Sequence, residues 1–410
     1  MAIKYIRTAH VKNKTVLVRA SVDVPLGGDT GEVADDFRIK ASLPTLQLLM
    51  KHGNGVVICG KRGRPEGVAV KKLSLGPVAE RMAKLLGLKY FQTDFAVPEG
   101  STGGLVFYTG NLEETKHRER IQAISASSVV FLENLEFYSE ELSSSVAFAK
   151  KLAGLADAYV NDDFSKCHHG AASISVLPKY IPSYVGVQLE QEVKALRQVL
   201  DRPKHPFVVM MGGAKISDKI KTLTNLGKKA DTLLVGGGLA NLFFAARGYE
   251  IGRSKAEHES VTLAWQTDKN FKGKIVLPVD VVVANSAMDK TSIRTCAPHE
   301  VKKNELILDA GPKTILAFAK VLKQAKTVVW NGPLGFFEHK PFHHSTMALG
   351  RIIGAVGKGR AYAVVGGGET VDAIRQAGQA EYVDHLSTGG GAMLEYLAGT
   401  KLPGIVALEK

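Results

Sequence analysis

Short apolar runs, each closed by glycine or a polar turn, alternate along the chain with stretches of helical spacing. "TVLVRASVDV" (15–24) and "GVVICG" (55–60) are two such runs, and "ADDFRIKASLPTLQLLMKHG" (34–53) between them spaces its apolar residues as a helix does. "SVVFLENL" (128–135) and "DAYVNDDF" (157–164) repeat the theme, and past residue 200 come "HPFVVMMGG", "DTLLVGGG", "KIVLPVDVVVA", "KTVVWNGP" and "AYAVVGGG". Their Val, Ile and Leu residues are continuous rather than alternating with polar ones. Strands buried on both faces read this way, so the runs predict parallel sheets covered by helices. Strand and helix alternating in this order place the chain in the α/β class, with doubly wound parallel sheets.

The stretch "LPKYIPSYVGVQLEQEVKALRQVLDRPKHP" (177–206) interrupts the alternation. Two prolines precede an amphipathic helix of about four turns, and "DRPKHP" ends it. A helix between breakers, with an α/β block of ordinary domain size on each side, is expected to connect two domains. The expected boundaries are 1–182 for the first domain, 183–201 for the connecting helix and 202–390 for the second.

Charge narrows the function. The formal net charge of +13 points to an anionic partner. Nucleic acid would call for a basic stripe interleaved with aromatics, whereas these lysines are dispersed; a phosphorylated small molecule, or simply a basic surface, accounts for the charge. Cys59, Cys167 and Cys296 lie far apart and make no zinc or redox spacing, as expected of reduced thiols in a cytoplasmic protein. No run approaches ~18 uninterrupted apolar residues, so no membrane span is expected, and "MAIKYIRTAHVKNK" lacks the apolar core of a signal peptide.

Candidate chemistry lies in the second half. Glycine triplets at 236–238, 366–368 and 389–391 follow or adjoin apolar runs, so their loops should converge at the carboxyl ends of one sheet. Neither G-x-G-x-x-G nor G-x-x-x-x-G-K-[ST] occurs, so a bound nucleotide would use another scheme. In "MMGGAKISDKI" (210–220) a spacing of four sets Lys215 and Lys219 on one helical face near the helix start, where they suit a polyphosphate or form a solvated pair. "VVWNGPLGFFEHKPF" (328–342) offers a rigid turn, a carboxylate at Glu338 for ribose hydroxyls, and Phe336 and Phe337, expected as core aromatics. Glu369 stands at the mouth of a glycine loop built for anions: it is either the carboxylate for a Mg²⁺ that travels with nucleotide phosphates, or an acid placed on the helix dipole. His168 with His169 and His343 with His344 are read as surface pairs, because adjacent residues on a regular element point apart.

With "RASVDVPL", "DDFRI", "GRPEG", "YVNDDF", "GGAKISDKI", "WNGPLGFFE", "VVGGGETVDAI" and "STGGGAMLEYL" in order, the chain resembles phosphoglycerate kinases from about residue 5 to its C-terminus. The resemblance implies two doubly wound (Rossmann-like) domains joined by a hinge helix. The first would bind 3-phosphoglycerate and be completed by a C-terminal segment from about 391 to 410. The second would bind Mg²⁺ with ATP or ADP, and closure would transfer a phosphoryl group between ATP and a carboxylate in glycolysis. It implies nucleotide contacts at Gly213, Ala214, Lys215, Lys219, Gly237, Asn331, Pro333, Glu338, Gly367, Gly368, Glu369 and Thr370, with Glu369 on the metal. Arg38, Lys215 and Lys219 would be catalytic, and the protein a cytoplasmic monomer without nucleic-acid or membrane partners.

The first half departs from the family pattern. Where the family has "RVDFNVP", Ser21 and Asp23 replace an Asp and an Asn; in "GKRGRP", Lys61 replaces a histidine; in "ENLEF", Glu136 replaces an arginine; and in "CHHGAAS", His169 replaces another. Arg38 and Arg64 remain as substrate contacts. Exchanging an arginine for a glutamate in a phosphate pocket costs on the order of several kcal/mol unless compensated. Lys61, Arg62 and Lys166 supply basic charge where the family has histidine, usually leucine and usually threonine, or Glu136 pairs with Lys61 or Arg62. Three functions stay open: a phosphoglycerate kinase with a rebuilt acid pocket, a kinase for another small carboxylate, and a nucleotide-binding homologue without catalysis.

Overall fold

The structure is a computed structural model that describes residues 3–28, 31–112, 116–213 and 217–409. It divides into two compact units, residues 1–193 with 401–410, and residues 194–400.

The first unit is built on seven strands: β1 (Thr15–Arg19), β2 (Gly55–Cys59), β3 (Tyr90–Thr93), β4 (Leu105–Tyr108), β5 (Val129–Leu132), β6 (Ala158–Asn161) and β7 (Ser183–Val185). They form one sheet in the order β3-β4-β5-β2-β1-β6-β7, every pair parallel. Side chains alternate between two apolar layers. Val16, Val18, Val56, Ile58 and Phe131 enter one, and Leu17, Val57, Tyr108, Val130 and Leu132 the other. Both faces are covered by helices, which is why the strand sequences run apolar without a break.

The second unit contributes β8 (Phe207–Met211), β9 (Thr232–Val235), β10 (Ile275–Val276), β11 (Val281–Ala284), β12 (Arg294–Cys296), β13 (Leu306–Ala310), β14 (Thr327–Asn331), β15 (Tyr362–Gly366) and β16 (His385–Leu386). Six of them form a parallel sheet in the order β10-β9-β8-β14-β15-β16. The run "KIVLPVDVVVA", expected as one parallel strand, is divided. Its first part pairs with β9, while β11 joins a separate antiparallel sheet, β12-β11-β13. Pro278 lies between the two parts; lacking an N–H and restricting its neighbour, it fits a break rather than a ladder.

The helix Val187–Asp201 carries the chain from the first unit into the second. Residues 183–185, expected as its start, instead add β7 to the edge of the first sheet. Its first turn is satisfied from the first unit, with Gln188 N and Leu189 N donating to Asp162 Oδ1 (2.9 and 3.3 Å) and Val187 N to Thr45 Oγ1 (2.9 Å). The helix Gly390–Leu397 remains in the second unit. Thr222 Oγ1 and Asn225 Nδ2 donate to its Leu394 and Leu397 carbonyls (2.8 and 2.7 Å). The return to the first unit thus starts at Lys401, later than the expected 391, and Gly404 N donates to Cys167 O (2.9 Å). Among the described residues no helix is long and apolar enough to cross a membrane.

Candidate active site

In the first unit, charged side chains gather beyond the carboxyl ends of β5, β2, β1 and β6, which are consecutive in the sheet. Ligands of open parallel sheets bind at such ends. The run expected as a strand over 15–24 leaves the ladder after Arg19, so residues 20–24 form a loop that carries Ser21 and Asp23. Asp23 is ion-paired with Lys61, its Oδ1 accepts from Gly63 N (2.9 Å), and Arg38 Nη1 donates to its backbone carbonyl (2.5 Å). Burial pushes the Asp23 carboxyl up, but the Lys61 ammonium and the hydrogen bonds outweigh it and hold the group below the usual carboxylate range. Arg64 is exposed beyond this loop.

Glu136 is buried in the turn after β5, where Asn134 Oδ1 accepts from its N–H (3.1 Å). Its carboxylate neither meets Lys61 nor Arg62; Oε1 lies 2.8 Å from Lys166 Nζ. Arg62 donates instead to the backbone carbonyls of Ser74 and Lys72, the first at 3.2 Å. Burial and the nearby Lys61 lower the Lys166 pKa, and Glu136 opposes them. His168 and His169 follow in the turn after β6, and their rings tilt together at 3.9 Å between centroids. The expectation that they point apart fails because this turn is not a regular element, and the rings of His343 and His344, at the start of a helix, also approach to 4.5 Å. Burial first, and then the neighbouring His169 for His168 and Lys166 for His169, moves both below the ordinary histidine value, His168 to about 4.

Ser21 is fully buried, and its hydroxyl is 3.5 Å from that of Ser165. Behind it runs a network absent from the sequence reading. Ser165 Oγ donates to Asp163 (2.5 Å), Asp163 pairs with Arg19 (3.0 Å), and Arg19 Nε donates to Ser173 Oγ (3.1 Å), which donates to Glu141 (2.5 Å). An arginine inside an otherwise apolar strand was the available signal, since such a charge needs partners in the interior.

In the second unit a cavity of about 330 Å³ opens beside the ends of β8 and β14. Gly213, Gly237 and Gly238 form one side, Leu308, Val281 and Phe244 another, and Glu338 and Glu369 also line it. The glycines permit contact of loop on loop: Gly213 N donates to Pro333 O (2.7 Å), and a Cβ on Gly212 would sit 2.1 Å from that oxygen. Lys219 is buried, with Nζ donating to the Gly212 carbonyl. Ala214 and Lys215 lie outside the described residues, and the following helix, Ser217–Gly227, begins after both. Gly367 has φ +93°, a conformation costly for any other residue. From it the helix Gly368–Gln376 starts, with Glu369 exposed in the first turn and Thr370 buried, its Oγ1 accepting from Gly332 N (2.7 Å). Asn331 Nδ2 is buried near Gly367 with no hydrogen-bond partner among the described residues. Glu338 is exposed; of the two aromatics expected in the core, Phe337 is buried, whereas Phe336 is 41% exposed and lines the cavity. Asp309, contributed by the antiparallel sheet that the sequence did not reveal, also lines it, and burial pushes its carboxyl up to about 7. Among the described residues no group of three His, Cys, Asp or Glu side chains could hold a metal.

Comparison with known proteins agrees with this layout. The family model "Phosphoglycerate kinase" matches residues 6–400. The phosphoglycerate kinase of Moorella thermoacetica is 40% identical over the full length of both chains, and that of Zymomonas mobilis is 39% identical over 97% of each. The solved phosphoglycerate kinase of Coxiella burnetii superposes with a TM-score of 0.80 at 34% identity, covering 99% of this chain and 98% of that one. The enzyme from Pyrococcus horikoshii gives 0.83 at 28% identity over the same shares. A basic cluster at one set of strand ends, a glycine-lined cavity at another and similarity over the whole chain lead to one conclusion: the chain belongs to the phosphoglycerate kinase family and is a phosphotransferase of that type.

Proposed function

We propose that this kinase transfers a phosphoryl group reversibly between ATP and the carboxylate of 3-phosphoglycerate, as a monomeric cytoplasmic enzyme. The glycine-lined cavity carries the reading. Its apolar wall suits a purine, Glu338 suits ribose hydroxyls, and the backbone around Gly213, Gly237, Gly367 and Gly368 can approach phosphates that a Cβ would exclude. Asn331 Nδ2 offers a buried donor to the same oxygens. Pro333 fixes the opposite rim, and Thr370 holds the Gly332 turn in place.

The residues present fit Mg²⁺, because a single exposed carboxylate at the phosphate end is what a hard cation uses when nucleotide oxygens complete its shell. Glu369 would hold it, and bound there it would neutralise charge on the nucleotide phosphates. Lys219 and Lys215 are assigned to phosphate oxygens of nucleotide and transferred group, and Arg38 to the transferred group. Asp23, Lys61 and Arg64, with Ser21, Glu136 and His169 behind or beside them, are assigned to the acid. The acceptor carboxylate is ionised at neutral pH and needs no general base; catalysis rests on positioning and charge neutralisation. Steady-state turnover with 3-phosphoglycerate, ATP and Mg²⁺, read through reductive coupling of the acyl phosphate, tests the assignment. ATP binding without turnover would reject 3-phosphoglycerate as the acceptor.

A further inference from the structure

The charged cluster of the first unit is largely neutralised from within. Lys61 is held by Asp23 and Lys166 by Glu136, and in each pair both side chains are withdrawn from water to a large degree. An arriving dianion therefore meets neither lysine as a free charge. The exposed groups beside these pairs that carry or can acquire positive charge are Arg64 and His169. Arg64 is permanently charged, and His169 is not.

His169 is placed for the second role by two features. Its turn follows the short helix Phe164–Lys166 and is closed by His169 N donating to Lys166 O (2.9 Å), and the charges of Lys166 and Glu136 both reach the imidazole. Its ring also rests against that of His168 at 3.9 Å, which restricts its orientation. The groups whose charge acts on it come from three loops: Lys166, and His168 in ring contact, from the turn after β6; Glu136 from the turn after β5; and Lys61 and Arg64 from the loop after β2. Asp163 lies behind His168, and Asp23 is spent on Lys61. Burial first, and then cations that outnumber the one anion, disfavour an imidazolium in the protein alone and lower the His169 value. A bound dianion reverses that balance.

We propose that His169 binds the anionic end of the acid as an imidazolium, so that the acid site takes up a proton together with its ligand. The proposal deepens the acid-site assignment made above and rests on it. The ligand class is a small dianion, a phosphate monoester in the substrate.

Sulfate is the discriminating probe, because unlike a phosphate ester it does not titrate near neutral pH and any proton taken up belongs to the protein. Binding of sulfate, and separately of 3-phosphoglycerate, to the full chain would be followed calorimetrically at pH 7.5 in two buffers of different ionisation enthalpy. The expected result is net proton uptake with sulfate that persists in Glu136→Gln and is lost in His169→Gln, and sulfate affinity that weakens by up to about tenfold per pH unit above neutrality. His169→Arg should bind sulfate at least as tightly as the parent at pH 8, without proton uptake. The absence of sulfate binding, binding without uptake, or uptake unchanged in His169→Gln would overturn the proposal. Turnover assays keep the two readings apart: a chain that phosphorylates 3-phosphoglycerate without proton-linked anion binding retains the function and loses this role for His169. Proton-linked sulfate binding without turnover keeps the role and removes the assigned acceptor.

Discussion

Glu136 Oε1 lies 2.8 Å from Lys166 Nζ, and both side chains are mostly buried. Asn134 Oδ1 accepts from the Glu136 backbone N–H and so fixes the turn that carries the carboxylate, and the ammonium cannot be offered to an incoming anion without giving up a charge-assisted hydrogen bond. Glu136→Gln retains the shape and a weaker hydrogen bond but frees the charge. The expected outcome is a KM for 3-phosphoglycerate lowered several-fold, on the order of 1 kcal/mol, with the KM for ATP unchanged. A raised acid KM would show that Glu136 positions Lys166 rather than competing for it.

Arg38 donates to the Asp23 carbonyl at the mouth of the same loop. If its remaining donors address the transferred group, Arg38→Ala should lower kcat by about two orders of magnitude or more and leave nucleotide affinity nearly intact. Equal losses in turnover and in ATP binding would contradict the role. Lysine at this position should recover little, since it lacks the planar fork.

Thr370 Oγ1 accepts from Gly332 N, tying the glycine loop after β15 to the turn after β14. Both groups are buried, so Thr370→Val leaves an amide without a partner at a cost of about 1–3 kcal/mol. The melting temperature of the transition that carries the second unit should fall by several degrees, and ATP affinity should fall with it as the loop loosens. Unchanged stability would mean that Gly332 finds another acceptor.

How far the chain can be read without its structure is visible at these same positions. The apolar runs located the strands, and the glycines after β8 and β9 located loops that line the cavity of the second unit, because both signals are local. The partner of Glu136 was not local. Glu136 follows β5 and Lys166 follows β6, strands separated in the sheet by β2 and β1, and only that order brings the two side chains together while turning Arg62 toward Ser74 and Lys72. The same holds for β11, whose Val-rich sequence suits either sheet and whose antiparallel partners come later in the chain. Phe336 and Phe337 are alike in composition; which of them is exposed depends on the turn geometry between them and β14.

Asp162 closes the first unit's grip on the connecting helix, and its pH response can be stated in advance. The carboxyl is fully buried, Oδ1 accepts from Gln188 N and Leu189 N, and Oδ2 has no hydrogen-bond partner among the described residues. Burial raises its pKa to about 7, against the opposing pull of Thr45 and the two backbone donors. A carboxyl raised on folding binds its proton more tightly in the native state than in the unfolded one. Stability is therefore greatest below the unfolded value, declines as pH rises through the window up to about 7, and is constant above it. The slope inside the window approaches about 1.4 kcal/mol per pH unit. Asn at this position mimics the protonated acid, with an N–H₂ where Oδ2 stood. Denaturant unfolding of the first unit should then lose this slope in Asp162→Asn between pH 5 and 7 and gain stability at pH 8. Asp309, also raised to about 7, continues to impose the same slope on the second unit. Parallel pH profiles for parent and variant would show that Asp162 is ionised in the native protein throughout, with the helix amides alone sustaining its charge.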